Sequence, residues 1–146
     1  MTVSPVPEGY TAVTPMVIVA GADRFNEFLA SAFAAQPRGA VFRMPDGSVA
    51  HSETTIDGAV VMVADATPEF PANTCGIHLY VSDVDAVFAA AVAAGAEVKS
   101  EPADQFYGDR SATVIDPFGN TWSLAQHIED ISDETMAERM REMFGG

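Results

Sequence analysis

The chemistry open to this chain rests on few side chains: three histidines, one cysteine and seven Lys and Arg residues in 146. His51 and Glu53 stand two apart in VAHSETTI (49–56), and in an extended segment residues two apart share a face. Three readings of that pair stay open. It is an acid/base pair, since an imidazole titrates near neutral pH, or two donors toward a metal, or a hydrogen-bonded polar pair. His78 lies in GIHLYV (76–81) on the face of Gly76 and Tyr80. A site built from His51, Glu53 and His78 requires their strands to converge. His127 trails the last strand and is expected at the surface. In QFYGDR (105–110), Arg110 either pairs with the adjoining Asp109 and fixes the loop, or offers its fork of donors to an anionic or carbonyl ligand. Phe106 and Tyr107 of that segment either line a cavity mouth or simply pack. A lone Cys75 excludes an internal disulfide and a multi-cysteine zinc site.

The elements that must position these residues follow from periodicity. Residues 1–10 carry Pro5, Pro7 and Gly9 and read as an arm. AVTPMVIVAG (12–21) is a Val/Ile-rich strand, and Asp23 is the candidate cap of a helix whose Phe25, Phe28, Leu29 and Phe33 fall at helical spacing. Pro37 and Gly39 end it. Strands at 40–44, 49–56 and 59–64 follow, separated by Asp46-Gly47 and Asp57-Gly58, and Asp-Gly is a strong hairpin signal. Residues 66–75 read as a linker.

The order then begins again: a strand at 76–81, a helix capped by Ser82 or Asp83, a strand at 96–101, a loop at 102–109, and a hairpin from 110–116 through Pro117-Phe118-Gly119-Asn120 into 121–127. Ser132 caps a last helix (132–144) with Met136, Met140 and Met143 on one side. SETTIDGAVVMVA (52–64) lies beside SATVIDPFGNTWSLA (111–125), with Ser52 on Ser111, Thr54 on Thr113 and Asp57 on Asp116. On that alignment His51 and Glu53 answer to Arg110 and Ala112. An internal repeat bears directly on fold. It predicts an α+β chain of two βαβββ modules, 10–65 and 76–127, in one domain, with helices outside a curved mixed sheet that encloses a cavity. On strand alternation the cavity floor carries Thr14, Met16, Ile18, Met62, His78, Tyr80 and Ser123, mostly apolar with a few polar handles, as small-molecule pockets are.

Charge excludes other classes. Seven basic against twenty-one acidic residues leave a formal charge of −14, a field that repels phosphate backbones and anionic lipid. No apolar run approaches the ~18 residues of a membrane span, and MTVSPVPEGY lacks the basic and apolar regions of a signal peptide. The expectation is a cytoplasmic protein that binds neither nucleic acid nor membrane.

The motifs VTPMVIV, VAHSET, HLYVSDVDAVFAAAVAAGA, QFYGDR and DPFGNTWSLA, with the HIEDIS that follows, resemble the vicinal oxygen chelate superfamily of glyoxalases, bleomycin-resistance proteins and dioxygenases, most of all its PhnB-like branch. The resemblance covers roughly residues 10–135 and implies fold more than activity. It places the superfamily's metal-ligand positions at Thr14, Met62, Gly76 and Ser123, none a strong ligand, so no metal or other cofactor is expected. It implies a small-molecule binder that sequesters an antibiotic or toxic metabolite. The alternative is a lyase, isomerase or hydrolase using a displaced metal, or a metal-free acid/base site at His51, Glu53 and His78. The resemblance also implies a homodimer. The expected ligand contacts are Thr14, Met16, Met62, His78, Tyr80, Phe106, Tyr107, Arg110 and Ser123.

Overall fold

Phe25, Phe28, Leu29, Ala32 and Phe33 are buried along one stripe of helix α1 (Ala22–Phe33), the side of the helix that the aromatic spacing predicts. Its start differs from expectation. Asp23 is not the cap: the N-cap is Gly21, and the carboxylate of Asp65 accepts from the N–H groups of Gly21 (3.0 Å) and Ala22 (2.8 Å) and also of Val49 (2.7 Å). Burial works to raise the Asp65 pKa, yet those three backbone donors hold it below the usual carboxylate range. Asp23 sits in the first turn and takes a bidentate pair from Arg43 (2.8 and 3.0 Å). A cap delivered from 43 and 44 residues away is invisible to a rule that reads neighbours. Asp65→Ala strands three N–H groups, and a loss of about 2 kcal/mol is expected from the urea midpoint.

The computed structural model describes residues 2–145, and the chain divides between Cys75 and Gly76 into two compact units. In the first, β1 (Met16–Val19), β2 (Gln36–Arg43), β3 (Val49–Ile56) and β4 (Ala59–Asp65) form a mixed sheet in the order β1-β4-β3-β2, with β1 parallel to β4. Pro37 and Gly39 do not end the helix. They lie within β2, an edge strand, where a missing N–H is tolerated, and the pairing with β3 shifts register between Arg38 and Phe42. Asp57 and Gly58, both at positive φ (46° and 84°), make the tight turn that Asp-Gly predicts.

The second unit repeats this plan with β5 (Gly76–Tyr80), α2 (Val84–Ala93), β6 (Glu97–Asp104), β7 (Asp109–Ile115) and β8 (Thr121–His127), in the order β5-β8-β7-β6, followed by α3 (Asp133–Phe144). Asp83 caps α2 by accepting from Ala86 N (3.1 Å). Gln126 Oε1 accepts from Val84 N (3.0 Å), doing for α2 what Asp65 does for α1. Strand β6 runs to Asp104, through part of the segment expected as a loop.

One expectation fails instructively. The first hairpin pairs Ile56 with Ala59, whereas the second pairs Ile115 with Thr121 and closes through Asp116 N to Asn120 O (2.9 Å). The longer turn moves the register by one residue, and a one-residue shift exchanges the faces of a strand. Ser52 and Thr54 are buried beneath α1, while Ser111, Thr113 and Ile115 lie on the face opposite the buried Ala112 and Val114. The structural partners of His51 and Glu53 are therefore Ser111 and Thr113, not Arg110 and Ala112.

Candidate functional site

Among the described residues, each sheet has one face packed against its own unit's helix, α1 on β1, β3 and β4 and α2 on β6, β7 and β8, and an opposite, open face that this helix does not cover. On the open face of the first sheet, Met16 pairs with Met62, Met62 with Glu53, Glu53 with Arg38, and His51 with Phe42. Strand alternation thus lays thioethers, an aromatic ring and an ionic group side by side. Met16 is 57 % and Phe42 62 % exposed. Thr14 precedes β1, and its hydroxyl donates to the Thr11 carbonyl (3.1 Å).

Glu53 organises this face. One carboxylate oxygen meets His51 Nε2 (2.9 Å); the other accepts from Arg38 Nη1 (2.7 Å) and from the Tyr10 hydroxyl. Arg38 Nη1 also donates to the Tyr10 oxygen (3.0 Å), and its guanidinium carbon stands 4.6 Å from the Tyr10 ring centroid. The bonds from His51, Tyr10 and Arg38 depress the Glu53 pKa to about 2, while the Glu53 carboxylate raises that of Tyr10. A carboxylate so engaged is a poor general base at neutral pH. It can orient instead: an ionised carboxylate only accepts, so Nε2 of a neutral His51 carries the proton and Nδ1 is the acceptor. A guanidinium at 2.7 Å also occupies the carboxylate that a cation at His51 and Glu53 would need. Sequence reasoning found His51 and Glu53 but missed Tyr10 and Arg38, which lie 43 and 15 residues from Glu53.

On the open face of the second sheet, His78 pairs with Ser123 and Ser123 with Thr113. His78 and Tyr80 stack edge to face with centroids 4.8 Å apart, and Tyr80 is 60 % exposed. Thr14, Met62, Gly76 and Ser123 offer two hydroxyls, a thioether and a bare backbone, a donor set that does not fit a divalent ion. Among the described residues, no group of three or more His, Cys, Asp or Glu is gathered as a metal would need.

Arg110 and Asp109 do not pair with each other. Arg110 donates to Asp85 (2.8 and 2.9 Å) and Asp104 (3.0 Å), tying α2 to the sheet, and these carboxylates raise its pKa. Asp109, buried at 6 % exposure, instead meets His127 Nδ1 (2.9 Å), while Asp130 meets Nε2 (2.7 Å). Asp130 and then Asp109 raise the His127 pKa. A raised histidine stabilises the fold fully below its ordinary pKa, and that contribution is lost as pH rises through the higher folded value. An NMR titration should therefore show His127 deprotonating above pH ~6.5, and Asp130→Asn should bring the midpoint down.

Phe106 packs edge to face on Tyr107 and on Phe144 of α3 (centroids 5.3 and 5.8 Å). Arg139 of α3 donates to the Phe106 carbonyl (2.9 Å) and to Glu129 (2.7 and 3.0 Å). Met140, Met143 and Phe144 are exposed. A groove of about 450 Å³ beside α1, β2 and β3, bordered by Asp23, Asn26, Glu27, Val41, Ser52 and Glu53, has no signal in the sequence. Among the described residues, no helix is long and apolar enough to cross a membrane.

The uncharacterized protein Rv0887c of Mycobacterium tuberculosis is 38 % identical over 138 residues, spanning 86 % of this chain and 81 % of its own. TnmS3 of Streptomyces sp. CB03234, described as an antibiotic binding protein, has a similar structure at TM-score 0.63 and 25 % identity, over 87 % of this chain and 98 % of its own. The PhnB protein of Bacillus cereus shares the fold at TM-score 0.61 and 18 % identity, over 80 % of this chain and 99 % of its own. A family model matches residues 11–124, a span that holds both sheets up to Leu124 in β8. The chain belongs to the Glyoxalase/Bleomycin resistance protein/Dioxygenase superfamily.

Proposed function

We propose that this protein binds and sequesters a small molecule, an antibiotic or a toxic metabolite, without turning it over. The observation that carries this reading is the chemistry of the open sheet faces. Met62 and Ser123, at two of the positions where the resemblance puts the superfamily's metal ligands, are bordered by Met16, His78 and Tyr80. Thioethers and aromatic rings suit an irregular apolar ligand, which they hold by burial and stacking. TnmS3, similar over most of its length, is described as an antibiotic binding protein. The reading takes the two modules as one domain, in a cytoplasmic homodimer. The charge of −14 would concentrate a cationic ligand near it.

The test is stoichiometry. Incubation with a panel of polycyclic antibiotics, followed by calorimetry and mass spectrometry, should show one ligand per site recovered unchanged. Product accumulating over many turnovers would overturn the reading. His78→Ala is expected to weaken binding by about 1 kcal/mol, roughly five-fold, through its share of the stacked His78–Tyr80 pair.

The contact between His51 and Glu53 (2.9 Å) favours one second reading, an acid/base enzyme with His51 as the base and Glu53 as its orienting group. In that case His51→Ala abolishes a measured turnover. An unchanged rate removes the reading.

A further inference from the structure

Tyr10 comes to the open face of the first sheet from an arm outside any helix or strand, and what meets it there would satisfy any phenol. Its hydroxyl donates to Glu53 and accepts from Arg38 Nη1 (3.0 Å), and the guanidinium lies over its ring. Donor, acceptor and ring face are all matched. An aliphatic alcohol would satisfy two of these and a plain aromatic ring one. We propose that the Glu53–Arg38 pair is a binding site for the phenolic hydroxyl of a small molecule, and that Tyr10 is a tethered occupant which such a ligand displaces.

Three features support this. Glu53 and Arg38 belong to paired strands, so the receptor is held by the sheet, whereas its occupant is held by the arm. The arm fastens to the sheet through the same residues: Arg38 Nη2 donates to the Glu8 carbonyl (3.0 Å). Gly9, at φ 86°, lets the backbone pass so closely that a Cβ would stand 3.0 Å from Arg38 Nη2. Finally, Met62 pairs with Glu53 and Met16 with Met62, so an apolar body attached to the phenol finds thioethers beside the hydroxyl site. Met16 stays 57 % exposed with Tyr10 seated on Glu53. An outside ligand can thus gain contacts that the tethered side chain lacks, and these offset the advantage of a tether's high effective concentration.

The inference deepens the binding reading by naming a ligand class for the first module. The probe is p-cresol, the tyrosine side chain itself, with toluene as the control lacking the hydroxyl; affinities on the order of millimolar suffice. In the full chain, Tyr10→Ala should bind p-cresol at least ten-fold more tightly than the natural protein does, toluene should not share the gain, and adding Arg38→Met should cancel it. In the natural chain, saturating p-cresol should speed hydrogen exchange at the arm amides, including Tyr10 N, which bonds the Pro7 carbonyl (3.2 Å). Equal p-cresol affinity with and without Arg38 would overturn the proposal, as would a gain shared by toluene. Saturation that leaves arm exchange unchanged would also overturn it, and that measurement needs no variant to fold. An antibiotic bound stoichiometrically by a chain that ignores p-cresol would sink this inference and leave the binding reading standing.

Discussion

Asp116→Ala is expected to destabilise the second unit by about 4 kcal/mol, a large share of the roughly 5–15 kcal/mol that holds an ordinary domain folded. Asp116 is buried, and its carboxylate accepts from Phe118 N (2.8 Å), Asn120 N (3.0 Å), Asn120 Nδ2 (3.3 Å) and Trp122 Nε1 (2.8 Å). Trp122 and Asn120 are themselves fully buried, so water cannot replace the lost acceptor without opening the core. Each stranded buried donor costs roughly 1–3 kcal/mol, and the losses do not add fully because the turn relaxes. The control is built into the repeat. Asp57, which answers to Asp116 in sequence, is exposed at φ 46° in the two-residue turn, where Asn tolerates the same backbone. Asp57→Asn should change stability by no more than about 0.5 kcal/mol. Chemical denaturation of the two variants reads the contrast directly, and equal losses would refute the assignment.

Glu53→Gln is the second large effect, a loss of about 2–3 kcal/mol. The neutral amide can still accept from one neighbour, but it no longer balances the Arg38 guanidinium and no longer draws a bond from Tyr10 with the strength of a charged acceptor. The pH dependence has a definite sign. Glu53 is depressed from 4.5 to about 2 in the fold, so its stabilisation is complete above the unfolded value. It is lost as pH falls from about 4.5 toward 2. Glu53→Gln should make the stability profile shallower in that window, where the slope that remains belongs to the other depressed carboxylates, among them Asp23, Asp65 and Asp85. A variant that keeps the natural slope there would show that the cluster does not hold Glu53 in its charged form.

The repeat also shows which parts of this protein are local. The Phe25–Phe33 stripe, a cap at Ser82 or Asp83 and the Asp57-Gly58 turn are all settled within one helix or one hairpin loop, and each was legible because neighbouring residues carry the cause; the structure chose Asp83. His51 and Glu53 were legible as a pair for the same reason, being two apart on one strand. What the pair does was not. Its chemistry depends on Tyr10 and Arg38, which reach it from an arm and a neighbouring strand.

The amino-acid sequence by itself determined two βαβββ modules, because hydrophobic period and turn chemistry act over a few residues and recur at matching places. The resemblance it carries also places the superfamily's metal positions at Thr14, Met62, Gly76 and Ser123. Only the tertiary structure decided which residues face outward from β7, since two inserted residues in a turn shift the pairing and exchange the faces of the strand. It alone moved Arg110 from Asp109 to Asp85 and Asp104, gave α1 its cap from Asp65, and set a tyrosine on Glu53. A charged or polar side chain takes whichever partner the fold brings within about 3 Å, and distance along the chain says nothing about which partner that will be.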